Sequence, residues 1–177
     1  MFKGGTIKMK VLHLLSTSKF SGAENVACQI IKMISNDDRF DMVYCSPDGD
    51  IKNTLIEKGI KFRPLHSLSV SNVKKAIQEQ NPDIIHAHDM KASFIAALAC
   101  GKIPLVSHIH NNAYNSRGIS LKSIAYTFAG FKAKHIFWVS DTSFSGYFFH
   151  NMFKSKSSIL YNIIDVDALI ENMKKDN

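Results

Sequence analysis

Apolar residues along this chain fall into two alternating patterns. Positions 9–16, Met-Lys-Val-Leu-His-Leu-Leu-Ser, make a short, nearly continuous apolar run bounded by turn residues, as expected of a strand buried on both faces of a parallel sheet. Ala23, Val26, Ala27, Ile30, Ile31 and Ile34 then recur at spacings of three and four, with Glu24, Asn25, Gln29 and Lys32 on the other side. That spacing predicts an amphipathic helix. Ser21-Gly22-Ala23-Glu24 marks its start as a capping box, with the serine hydroxyl accepting from a first-turn amide and Glu24 reaching back to the cap.

The alternation repeats to the end of the chain. Strands are expected at 41–45, 61–65, 83–87, 104–109, 135–140 and 158–161, and helices at 51–58, 70–80, 91–100, 120–131 and 142–153. Strands separated by single helices require right-handed crossovers, hence a parallel sheet covered on both faces. The fold class is α/β, a doubly wound, Rossmann-like parallel sheet of about seven strands. The pattern predicts one domain over 1–165 and a short tail over 166–177, where Asp165 starts a helix that soon dissolves into Lys174, Lys175, Asp176 and Asn177.

Composition narrows the class. With 177 residues, 45% hydrophobic and 21% charged, the chain can bury a large core, which excludes disordered and fibrous classes. No run approaches the roughly 18 apolar residues of a membrane span and no signal-peptide pattern opens the sequence, so a cytoplasmic location is expected. Three cysteines without a C-x-x-C pair read as buried thiols. The net charge of +7 suits phosphorylated substrates or an anionic membrane surface. It brings no arginine cluster or basic-aromatic strand that would read nucleic acid.

In an open α/β sheet the ligand crevice lies beyond the carboxyl ends of the strands. Four segments fall there. Residues 16–22 form a serine-rich turn into a helix N-terminus, where free amides and the helix dipole favour an anionic group; it is neither a G-x-G-x-x-G nor a P-loop. A capped helix with no ligand is the alternative reading. His86-Ala87-His88-Asp89 and His108-Ile109-His110-Asn111-Asn112 each place two histidines on one face of a strand end. A metal site would need further carboxylate or cysteine ligands, and only Asp89 is close, so no metal is assigned. His86 and His108 read as satisfied interior histidines; His88, Asp89 and His110 fall where a polar ligand could be held. In Val139-Ser140-Asp141, Ser140 is an N-cap or, as a minor candidate, a ligand contact. Two later helices carry surplus aromatics. Leu121, Ile124, Ala125, Phe128 and Phe131 form one stripe, and Phe144, Tyr147, Phe148, Met152 and Phe153 crowd the next helix. Most are expected in the core, with docking on an anionic bilayer as the alternative.

Taken in order, these segments resemble the N-terminal domain of the family-4 glycosyltransferases, a retaining family of GT-B architecture. Ser21-Gly22-Ala23-Glu24 is similar to the family's Gly-Gly-Ala-Glu turn. Asn81-Pro82-Asp83-Ile84-Ile85-His86-Ala87-His88 is similar to its Pro-Asp-apolar-apolar-His-x-His segment, and 104–110 to its strand ending in a histidine. Val139-Ser140 and Tyr161-Asn162-Ile163-Ile164-Asp165 resemble its Val-Ser and its Asn-Gly-Val-Asp segment at the interdomain linker. Ser21 stands where the family has the first glycine of the turn, and Ile163 where it has the glycine after asparagine.

The resemblance implies a role for each position. The Ser21-Gly22 turn would approach the donor diphosphate and the acceptor, His110 would face the transferred sugar, and His88, Asp89, Asn111 and Asn112 would line the acceptor side. The donor, a nucleotide sugar, would be bound mainly by a C-terminal domain using a pair of glutamates eight positions apart. Glu24, Glu57, Glu79 and Glu171 supply no such pair, so the chain is expected to be one half of a GT-B fold, inactive alone. The implied protein is a hexosyltransferase of bacterial surface or capsular polysaccharide assembly, needing no metal or cofactor. Its acceptor would be a glycan or lipid-linked molecule, with peripheral contact at the inner membrane face. Half of a nucleotide-sugar 2-epimerase and a stand-alone carbohydrate- or lipid-binding module are the alternatives.

Overall fold

A computed structural model describes residues 8–111 and 116–162. Asn112, Ile163 and the tail helix expected after Asp165 lie outside the described residues.

Among the described residues, seven strands and six α-helices follow one another as the hydrophobic pattern requires: β1 Met9–Leu15, α1 Gly22–Ile34, β2 Phe40–Pro47, α2 Ile51–Glu57, β3 Phe62–Leu65, α3 Val70–Gln80 and β4 Ile84–His88. Then come α4 Met90–Ala99, β5 Leu105–Ile109, α5 Leu121–Lys132, β6 His135–Trp138, α6 Asp141–Ser145, a 3₁₀ helix His150–Lys156 and β7 Ser157–Ile159. Every strand pair is parallel, in the order β3-β2-β1-β4-β5-β6-β7. The strand order reverses between β1 and β4, where Leu15 pairs with His88. That reversal is the topological switch point of a doubly wound sheet.

Side-chain alternation divides the strands between two faces. Leu12 and Leu14 of β1, Ile85 and Ala87 of β4, and Leu105 and Ile109 of β5 pack with α3, α4 and α5 in the larger core. Leu15 faces the opposite way, into a smaller core with Ala27, Cys28 and Ile31 of α1 and Ile51 and Leu55 of α2. All three cysteines are buried free thiols, as the sequence suggests.

Three local expectations are corrected. Glu24, placed by pattern on the polar side of α1, is 2% exposed. The Ser21 hydroxyl donates to the Glu24 carboxylate and caps no first-turn amide, so the reciprocal capping box is not made. A buried carboxylate needs a donor, and the nearby hydroxyl supplies one.

The single helix expected over 142–153 is instead α6 and the 3₁₀ helix, divided after the C-cap Gly146. One helical face cannot bury so many large rings. The break lets Tyr147 and Phe153 both reach the core fully buried, with Tyr147 stacked on Trp138 at 5.8 Å.

The stripe on α5 expected in the core is exposed: Leu121 is 88%, Ile124 53%, Phe128 42% and Phe131 59% accessible. The helix turns its smaller face to the protein, burying Ser123, Tyr126, Ala129 and Gly130. At Gly130 a Cβ would stand 2.6 Å from the Phe153 ring, so the absence of a side chain is what admits the ring.

Candidate functional site

At the switch point the strand ends carry polar groups set by local sequence. β4 stops at His88 because Asp89 leaves the extended region: its φ of 111° is a conformation L residues seldom adopt. Several bonds hold it there. Its amide donates to the His108 carbonyl (2.9 Å), its carboxylate accepts from the Ala92 amide as N-cap of α4 (2.7 Å), and the Ser93 hydroxyl donates to its carbonyl (2.7 Å). Burial raises the Asp89 carboxyl pKa, opposed by the Ala92 amide and by a bond from the Ser16 hydroxyl at the end of β1. Asp89 therefore ties together the ends of β1, β4 and β5.

Beside it, on the sheet face shared with α1, lies a cluster of histidines. His13 of β1, His86 and His88 of β4, and His108 and His110 of β5 lie on adjacent strands. Along each strand the rings are close: His86 and His88 have centroids 4.2 Å apart, His108 and His110 4.1 Å. Across strands the contacts are edge to edge. His13 Nδ1 is 3.0 Å from His88 Nε2, and His88 Nδ1 is 3.1 Å from His110 Nε2. Phe137 of β6 packs against His86 and His108.

Burial keeps these rings uncharged. It lowers the His13 pKa to about 3, the His108 pKa to about 2 and the His110 pKa to about 4, and it holds His86 and His88 well below the ordinary imidazole range. For all but His110 the neighbouring imidazoles add to the shift, since two adjacent cations would repel.

His86 and His108 are interior, as the sequence suggests, but not satisfied. His86 Nε2 and both nitrogens of His108 are buried without a hydrogen-bond partner. Two triads, His13/His86/His88 and His88/His108/His110, bring three nitrogens within 4.8 Å of one another, and no carboxylate or cysteine joins either among the described residues. The rings also stack and pair with one another.

The structure brings most of the sequence candidates to one edge. His110 is partly exposed at the end of β5 and Asn111 is exposed beyond it. His88 lies beneath, wholly buried, in contact with His110 instead of the rim. Ser21 and Gly22 are exposed at the N-terminus of α1, and open space surrounds the position a Gly22 Cβ would take, so the backbone there can be approached. Ser140 serves as N-cap of α6, accepting from the Ser143 amide at 3.1 Å. Sequence reasoning missed His13 and Met42. The available signal was a lone histidine inside an otherwise apolar strand, a position that demands a partner.

A parallel sheet in this order, with polar groups gathered at its switch point, defines the class: a Rossmann-like half of the GT-B architecture. The chain belongs to Glycosyltransferase Family 4, whose model matches residues 20–168. HepE from Anabaena, solved with UDP, has the same fold at TM-score 0.75 and 23% identity, over 90% of this chain and 45% of that one. The lipopolysaccharide outer core galactosyltransferase WaaB in its apo form matches at TM-score 0.68 and 18% identity, over 88% of this chain and 46% of WaaB. UDP-GlcNAc 2-epimerase from Neisseria meningitidis, bound to UDP-GlcNAc, matches at TM-score 0.66 and 18% identity, over 94% and 49%. At these identities the likeness establishes fold alone, and the chain spans about half the length of each. No curated protein matches the sequence.

Proposed function

We propose that this chain is the acceptor-side domain of a retaining glycosyltransferase that moves a hexose from a nucleotide sugar to a glycan or lipid-linked acceptor of a bacterial surface or capsular polysaccharide. The observation that carries the reading is His110, an uncharged imidazole standing at the switch-point rim of a Family 4 domain. In this reading His110 meets the transferred sugar, and the open backbone at Ser21 and Gly22 approaches the diphosphate. Asn111 and Asn112 contact the acceptor, His88 and Asp89 support that side from beneath, and Ser140 is a minor contact. His13, His88 and His110 pair with one another through their nitrogens, leaving His110 Nδ1 for the sugar, so the reading assigns no metal and no cofactor. Because catalysis needs groups poised on both sides of the departing diphosphate, donor binding falls to a second domain and the isolated chain is inactive. UDP and UDP-glucose in HepE are consistent with a nucleotide-sugar donor.

The test is transfer from a panel of nucleotide sugars by this domain joined to its donor-binding partner. His110→Ala should abolish transfer and keep the fold; normal transfer by the variant would remove His110 from the reaction. Release of an epimerised sugar nucleotide by the wild type would favour the epimerase reading.

The exposed stripe on α5 supports a cytoplasmic domain that meets its acceptor at an anionic bilayer. Between Asp89 and Asp165 the only acidic residue is Asp141, against eight Lys and Arg, so the stripe lies in a strongly basic half of the chain. No described helix is long and apolar enough to cross a membrane. Binding should be peripheral: apolar side chains enter the interface while Lys122 and Lys132 of the same helix meet headgroups. Vesicles of phosphatidylglycerol should co-sediment the chain and those of phosphatidylcholine should not. Leu121→Glu with Phe131→Glu should abolish binding; equal binding by both lipids, or by the variant, would refute the surface.

A further inference from the structure

The histidine cluster contains more than a rim ligand. His13, His88 and His110 form a line across β1, β4 and β5, joined nitrogen to nitrogen at 3.0 and 3.1 Å. The ring centroids lie 5.3 Å apart for His13 and His88 and 5.4 Å apart for His88 and His110, with planes differing by 28° and 11°; separations so much longer than the nitrogen contacts mean that the rings meet edge to edge, where imidazole protons and lone pairs point. A neutral imidazole has one N–H and one lone pair. Each contact therefore needs one donor and one acceptor, and just two arrangements of the line satisfy both: all protons directed toward β1, or all directed toward β5.

The far end decides between them. His13 Nε2 lies 3.4 Å from Met42 Sδ on β2. A thioether sulfur has no proton to give and accepts weakly, so His13 must carry its proton on Nε2. Nδ1 of His13 then accepts from Nε2–H of His88, and Nδ1 of His88 accepts from Nε2–H of His110. The last ring keeps its lone pair on Nδ1, which has no partner among the described residues. The reverse arrangement would set a lone pair against the sulfur and leave a buried, unpartnered N–H at His110, the rarer and costlier kind of orphan.

We propose that His88 is a positioning residue which, in a relay beginning at Met42 and passing through His13, holds His110 in the Nε2–H form, so that its remaining nitrogen can only accept a hydrogen bond. The proton direction follows from the geometry alone. Its consequence rests on the proposed transferase function: Nδ1 is buried just under the rim, and a group that reaches it on binding must be a proton donor such as a sugar hydroxyl, whereas a carboxylate or phosphate oxygen would face a lone pair. His110 is then a selector of neutral sugars over uronic acids at that contact.

The test uses the 177-residue chain labelled with ¹⁵N-histidine, in long-range proton–nitrogen spectra near neutral pH. The expected spectrum has His13, His88 and His110 each protonated on Nε2, with the His88 and His110 ring protons protected from exchange. Protonation of His110 on Nδ1, or rapid averaging between the two forms, would overturn the proposal. His88→Phe should lose the protected His110 proton, and His88→Asn, whose carbonyl oxygen takes the place of Nδ1, should restore it; retention in the Phe variant would also overturn it. If the Phe variant does not fold, Met42→Leu preserves volume and removes the sulfur. The opposite tautomer of His13 should then appear, and its absence would mean that Met42 does not set the direction. None of these readouts requires turnover, so a line of protons as drawn in a chain shown to have no part in sugar transfer would sink the function and leave the relay standing.

Discussion

Lowering the pH from 7 to 5 should destabilise this domain strongly, through its buried histidines. The reason is the difference between folded and unfolded histidine. In the unfolded chain an imidazole titrates near pH 6.5, so it goes from about a quarter to almost wholly protonated over those two units. In the folded chain His13 and His108, with pKa values of about 3 and 2, and His88, held well below the usual range, stay neutral throughout. The native state thus binds fewer protons, and its stability is fully present above pH 6.5 and falls as the pH drops toward the folded values. Each such histidine forfeits roughly 2 kcal/mol between pH 7 and 5. His13, His88 and His108 are at most 1% exposed and together forfeit roughly 6 kcal/mol, comparable to the whole stability of a small domain at about 5–15 kcal/mol. Urea titrations at pH 7, 6 and 5, read by circular dichroism and by the single buried tryptophan, Trp138, measure the loss directly. His108→Phe, which replaces a ring with two unpartnered nitrogens beside Phe137, should flatten the pH dependence by about one proton. Stability that changes by less than about 1 kcal/mol between pH 7 and 5 would refute the argument, because three buried neutral imidazoles cannot give so small a slope.

Two further predictions concern the backbone. Gly130→Ala should destabilise by about 1–2 kcal/mol in urea unfolding, because a Cβ would stand 2.6 Å from the fully buried Phe153 ring and the better helix propensity offsets only part of the strain; an unchanged midpoint would mean the ring moves freely. Asp89→Ala loses the bond from the Ala92 amide and still carries a Cβ at φ 111°, so it should lose about 1–3 kcal/mol, and Asp89→Gly, free of that strain, should lose less. An alanine variant as stable as the glycine variant would show that φ carries no strain.

How far the sequence reaches can be judged residue by residue. The element order was legible because buried parallel strands and amphipathic helices leave different periods, and α3 Val70–Gln80 falls on the expected 70–80. The rim was legible because ligands sit after strands in this fold class, which places His110 and Gly22 without any knowledge of contacts. Three features were not. The burial of Glu24 depends on the Ser21 hydroxyl bonding to its side chain, a choice that a capping-box pattern leaves open. The inward face of α5 was misread because hydrophobicity ranks Leu121 and Phe131 above Tyr126 and Gly130, whereas packing against α4 and Phe153 rewards shape. The line from Met42 to His110 joins four strands from four separate sequence segments, and only the register of the sheet brings its members together.

Stability and chemistry make opposite demands on that line. The other face of the same strands carries Ile85, Ala87 and Ile109, which lose nothing in acid and would serve equally well as filling. Apolar filling, however, has no direction. Imidazoles joined through their nitrogens transmit a proton direction from β2 to the rim, and they do so only while they are neutral, which deep burial ensures. An uncharged His110 adds no attraction for a diphosphate, so on this wall the anion would depend on the amides at the start of α1, where Gly22 leaves the backbone open and the Ser21 hydroxyl has turned away to Glu24. On the proposed function, sugar and phosphate would be met by separate devices: a selective but neutral ring at the end of β5, and unselective peptide dipoles on α1.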